Sequence, residues 1–160
     1  MKRPFSGIML TLLLTCTLTL ALNIQPVKAE GTIYIRADGS IDPPTPLITT
    51  ADNVTYTWTG NIYDSIVVER DNIVVDGAGY TLYGTGAYDS IGIDISERIN
   101  VTIKTLIVET FYHGIFLNES SCCRIDQSNV TANIRFGIWV YNSSDCIVDR
   151  NNLVHNECGI

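Results

Sequence analysis

GIDISERINVTIKTLIVETFYH (residues 92–113), GIFLNESSCCRIDQSNVTANIRF (114–136) and GIWVYNSSDCIVDRNNLVHNEC (137–158) are consecutive stretches that open on the same dipeptide. Gly92-Ile93, Gly114-Ile115, Gly137-Ile138 and Gly159-Ile160 recur at spacings of 22, 23 and 22 residues. Each stretch holds two alternating triplets: Ile93-Asp94-Ile95 and Val101-Thr102-Ile103, Ile115-Phe116-Leu117 and Cys123-Arg124-Ile125, Ile138-Trp139-Val140 and Cys146-Ile147-Val148. A third apolar position follows at Val108, Val130 and Leu153. A period of two is the mark of a strand, with the outer members of each triplet on one face and the middle member on the other. Asn, Ser, Asp and Gly separate the triplets, as turns require.

A unit of this size is too short for a strand–helix–strand crossover, which takes about 30 residues, and no segment carries a helical apolar pattern. Hairpin folds do not require equivalent residues to recur at a fixed interval. A coil of three short strands does, and stacking such coils at about 4.8 Å creates the core that one coil lacks. The expected inward ladders are Ile66, Ile93, Ile115, Ile138 and Val68, Ile95, Leu117, Val140 on one face. A second face takes Ile73, Val101, Cys123, Cys146 and Val75, Ile103, Ile125, Val148, and a third takes Val108, Val130, Leu153. The glycine at each repeat start is expected to take a tight-corner conformation, and Asn151 and Asn152 are expected to bond along the coil axis. An earlier, irregular unit is SIVVERDNIVVDGAGYTLYGTGAYDSI (65–91).

DNIVVDGAGYTLYGTG (71–86), INVTIKTLIVETFYHGIFL (99–117) and GIWVYNSSDCIVDRNNLVHNECGI (137–160) carry a family resemblance. The chain resembles the right-handed parallel β-helix proteins of the pectin-lyase-like superfamily, and among them the NosD-like domains of secreted archaeal and bacterial proteins. The resemblance implies an all-β, single-stranded solenoid of about 22 residues per coil over residues 31–160, and it suggests a role in copper delivery to a periplasmic reductase. The residues do not carry over a copper site: the only methionines are Met1 and Met9, the only histidines are His113 and His155, and soft ligands do not cluster. No metal and no cofactor is therefore expected.

The full chain of 160 residues has 46% apolar and 17% charged residues and a formal charge of −7. That excludes a disordered acidic tail. The acidic balance, with no basic patch, excludes nucleic acid as a partner. Lys2 and Arg3 precede an uncharged apolar run from Ile8 to Ile24, and Val27-Lys28-Ala29 has small residues at −3 and −1 of a cut after Ala29. Residues 1–29 read as a secretory signal peptide, with an uncleaved anchor as the alternative. Either places the remainder outside the cytoplasm. Residues 30–64 read as an N-terminal cap or first irregular coil, with Thr32–Arg36 and Thr55–Thr59 as strands. Residues 65–160 read as the coils, incomplete at the C-terminus. The chain is thus expected to be an N-terminal fragment, with further coils or domains beyond residue 160.

The outward column Val67, Asp94, Phe116, Trp139 makes Phe116 and Trp139 solvent-side neighbours, with Tyr141 beside Asn118. Aromatic faces flanked by amides and acids suit stacking against sugar rings, so Phe116, Trp139 and Tyr141 are the candidate carbohydrate contacts. Asp126, Asp145 and Asp149 fall near corners without forming an adjacent acidic cluster, and Arg124 lies near Asp126. No catalytic residue is assigned. Cys123 and Cys146 occupy equivalent inward positions one coil apart. A buried reduced ladder is the first expectation, with a disulfide and a metal pair as alternatives. Cys122 faces outward. Glycosylation sequons fall at Asn53, Asn100, Asn118, Asn129 and Asn142. Two functions follow: an exported or cell-surface scaffold that contacts glycan or a surface protein, or the front of a polysaccharide lyase or glycoside hydrolase whose catalytic coils lie further on.

Overall fold

The computed structural model describes residues 31–160; the expected signal segment lies outside the described residues. The first turn holds β1 (Thr32–Ile35), β2 (Ile41–Asp42), β3 (Ile48–Thr49) and β4 (Thr55–Trp58). Four turns of three strands follow: β5 (Ser65–Val68), β6 (Val74–Asp76) and β7 (Thr81–Tyr83); β8 (Ile91–Asp94), β9 (Thr102–Lys104) and β10 (Ile107–Glu109); β11 (His113–Asn118), β12 (Arg124–Asp126) and β13 (Asn129–Thr131); β14 (Phe136–Tyr141), β15 (Ile147–Asp149) and β16 (Asn152–Val154). Equivalent strands of successive turns pair in parallel, giving three sheets in the orders β14-β11-β8-β5-β1-β2, β15-β12-β9-β6-β4-β3 and β16-β13-β10-β7. The fold is an all-β parallel solenoid.

The registers reproduce the ladders. Ile33, Ile66, Ile93, Ile115 and Ile138 stack in the first sheet, and Tyr56, Val75, Ile103, Ile125 and Val148 in the second. The third column runs Leu82, Val108, Val130, Leu153, with Leu82 extending the expected set. Stacked β-branched side chains fit the pleated, two-dimensional packing of such a sheet, and all these residues except Val148 and Leu153 are buried. β2 and β3 run antiparallel to β1 and β4 and lie at the sheet edges, so the first turn is both a coil and a cover for two of the three edges.

The corners correct one expectation. Gly92, Gly114 and Gly137 lie within strands and take no left-handed conformation. Glycine is required there by proximity. A Cβ on Gly114 would sit 2.5 Å from the Gly137 carbonyl oxygen and 2.7 Å from Val130 Cγ1, and one on Gly137 would sit 2.7 Å from Asn156 Nδ2. The left-handed positions are instead Glu97, Asn100, Thr105 and Thr110, then Glu119, Cys122, Gln127 and Ala132, then Asn142, Asp145, Arg150 and His155. Side chains bridge these corners along the axis. Asn151 accepts from Ser128 N–H and donates to the Ile125 carbonyl, and Asn152 donates to Asn129 Oδ1. A second, deeper amide ladder joins Asn133 to Asn156. Asn133 Oδ1 accepts from Phe111 N–H at 3.1 Å, while its Nδ2 donates to Asn156 Oδ1 at 3.1 Å and to the Val108 carbonyl at 3.3 Å. Asn133 is buried, so this ladder satisfies backbone groups that water cannot reach.

Candidate functional site

The outer face of the first sheet gathers rings from successive turns. The alternation that points Ile115, Leu117 and Ile138 inward forces Phe116 and Trp139 outward, and their pairing across β11 and β14 sets their centroids 4.7 Å apart. Tyr141 follows two residues on, its ring 6.4 Å from Trp139 and 60% exposed. Phe116 and Trp139 are half-buried. The expected trio is thus contiguous.

It is also part of a longer strip. Phe136 stacks on Trp139 at 5.3 Å, His113 lies 4.7 Å from Trp139 and 4.7 Å from Tyr112, and Tyr112 meets Tyr88 at 4.9 Å. Tyr88 is 78% exposed. Tyr88, Tyr112, His113 and Phe136 escape the sequence pattern because they precede each repeat glycine, outside the alternating triplets, although His113 and Phe136 open strands β11 and β14. The pairing of His113 with Phe136 was open to extraction from the 23-residue interval. The Arg135 guanidinium lies over the Phe136 ring at 5.3 Å, near the centre of this strip.

His113 is the buried member, 5% exposed, and its Nδ1 has no hydrogen-bond partner. Burial lowers its pKa below the ordinary histidine value of 6.5, and Arg135 adds to that, while Asp89 opposes it. The neutral imidazole therefore serves as a packing ring beneath Trp139.

The second sheet carries the acids. Asp126 and Asp149 are direct partners in register, which corrects their expected separation: Ile125 and Val148 point inward, so the residue after each points outward in one column. The column is neutralised by arginines. Arg150 Nε donates to Asp126 Oδ1 at 2.9 Å, Arg124 donates to Asp149 Oδ2 at 3.2 Å, and Arg124 Nε lies 3.7 Å from Asp126 Oδ2. The hydrogen bond from Arg150, with the two guanidinium charges, holds the Asp126 carboxyl below the usual carboxylate range. An acid held ionised in this way accepts hydrogen bonds and does not donate a proton at neutral pH.

Cys123 is buried and Cys146 partly buried on the inner face of the same sheet, and both are thiols. Among the sequons, Asn53, Asn100 and Asn142 lie on exposed left-handed corners, whereas Asn118 and Asn129 lie within strands.

Fold and surface together define a parallel β-helix with an aromatic strip along one outer sheet. A model of the NosD family, described as periplasmic copper-binding protein, matches residues 64–160. The chain belongs to the NosD family. Comparison with curated proteins finds no match, and comparison with solved structures finds none. The family description implies copper. Among the described residues no group of three or more His, Cys, Asp or Glu side chains converges to hold a metal ion. The Cys123–Cys146 pair brings two soft donors together, His113 Nδ1 is enclosed by rings, and both methionines lie outside the described residues. The described coils therefore bring together two soft donors and no third His, Cys, Asp or Glu beside them.

Proposed function

We propose that this chain is an extracytoplasmic β-helix scaffold that binds carbohydrate on the outer face of its first sheet. Phe116, Trp139 and Tyr141 are the ring-stacking residues, and His113 and Phe136 hold Trp139 in place. The observation that carries this reading is the contiguity of the strip: rings from three successive turns form a chain in which each centroid lies 4.7–6.4 Å from the next, with exposed rings at Tyr88 and Tyr141. Pyranose rings present flat C–H faces that pack on such rings, and hydrogen bonding to flanking polar groups such as Asp94 and Asn118 supplies orientation. The location rests on the family description, which is of periplasmic proteins.

The test is binding of a panel of neutral and acidic oligosaccharides to the purified chain by calorimetry. Trp139→Ala is expected to weaken binding roughly tenfold or more, the equivalent of about 1.4 kcal/mol, with an unchanged circular dichroism spectrum. Equal affinity in the variant would remove the strip from consideration.

A further inference from the structure

We infer that Cys123 and Cys146 are a redox-convertible pair, reduced in the structure described here and able to close a disulfide that staples the last turn to the one before it. The register sets the geometry. Arg124 pairs with Ile147 and Ile125 with Val148, so the two cysteines immediately before them face each other across one inter-turn step. Parallel strands lie about 4.8 Å apart, inside the 4.4–6.8 Å Cα separation that disulfides span. Both thiols point into the solenoid: Cys123 is 1% exposed and Cys146 packs against the core from a partly open position. The neighbouring Cys146 thiol adds to the upward push that burial gives the Cys123 thiol. Among the described residues the thiols bond to backbone carbonyls, Cys123 to Arg98 and Ser121 at 3.5 Å and Cys146 to Ser144 at 3.4 Å and Ser120 at 3.9 Å.

Their unequal exposure orders the chemistry. Burial raises the Cys123 thiol above its ordinary value, which makes it the slower nucleophile. Cys146 is the accessible one. Its thiolate attacks a sulfur of a small-molecule or protein disulfide, forming a mixed disulfide and releasing one thiol. Cys123 then loses its proton to water, attacks Cys146 Sγ and releases the second thiol. The pair is oxidised by two electrons, and the donor disulfide is reduced to two thiols. The cross-link would tie the segment leading into β15 to the one leading into β12, neighbouring strands of one parallel sheet.

The experiment uses the full chain with Cys122→Ser and Cys158→Ser, which leaves the pair as the only described cysteines. The protein is equilibrated with oxidised glutathione, alkylated, digested and mapped, and its Tm is compared with that of a dithiothreitol-treated sample. The expected results are a peptide joining Cys123 to Cys146 and a Tm increase of roughly 8 °C, from closure of the loop between them. Cys146→Ala in the same background is expected to abolish both. A peptide map in which both thiols remain alkylated, a stable glutathione adduct on Cys146 with Cys123 free, or a cross-link without a rise in Tm would each overturn the inference.

Discussion

The fourth turn and the fifth are built from nearly the same text, yet they occupy different environments. In the fourth, Ile115, Leu117, Cys123, Ile125 and Val130 are buried between neighbours on both sides. In the fifth, Ile138 is still buried, but Val140, Cys146, Val148 and Leu153 are only partly covered. A ladder is worth its full energy only where it is packed on two sides, because each flat layer of side chains has two faces to keep from water.

The largest contrast comes from charge. Ile125→Asp is expected to destabilise the chain by about 4 kcal/mol, since it places a carboxylate where nothing can solvate or pair it. Val148→Asp, the same change one step along the column, is expected to cost less than half as much. Urea denaturation of the two variants measures the difference, and equal costs would show that the outer face of the last turn is covered in solution.

A backbone contrast follows. Gly114→Ala is expected to cost about 2–3 kcal/mol, because the new methyl meets the Gly137 carbonyl oxygen at 2.5 Å. Gly159→Ala meets nothing nearer than Leu153 Cβ at 3.6 Å and is expected to be near neutral. The same denaturation series reads both.

The smallest contrast is between acid and neutral pH at His113. Because folding lowers the His113 pKa, the unfolded chain takes up a proton that the folded chain refuses once the pH drops below the ordinary value of 6.5. The stability linked to His113 is therefore complete above that pH and declines as the pH falls toward the folded pKa. Tm measured from pH 7.5 to 5 is expected to fall less steeply in His113→Gln than in the parent, and an equal slope would remove His113 as the source of the dependence.

The strands, their parallel stacking and the inward columns were legible because the alternation of Ile93-Asp94-Ile95 and its counterparts is a local pattern repeated at a fixed interval. The facing of Phe116 and Trp139 followed from the same arithmetic. What lay beyond it were features that depend on approach between turns. Gly114 looks like a turn residue in isolation, and only the neighbouring carbonyl shows why no side chain fits. His113 looks like a surface histidine before a repeat start, and only the rings of Tyr112, Phe136 and Trp139 reveal it as buried. Asn133 and Asn156 share a 23-residue interval that could have identified their ladder, but neither sits in a triplet. Asp126 and Asp149 were separated by treating corners as places where counting stops.

One corner absorbs changes in length. Ile107 pairs with Asn129 at an interval of 22 residues, while His113 pairs with Phe136 at 23, so a single residue has entered between Thr131 and Phe136 without shifting either ladder. Residues 84–90, the excursion between β7 and β8, leave the solenoid at the same corner of an earlier turn. Segments inserted there would emerge alongside Tyr88, Tyr112 and Arg135. The scaffold thereby separates what must keep step from what can vary, and a graft of new loop sequence at this corner is the natural way to give the aromatic face a different neighbour while leaving the strands in register.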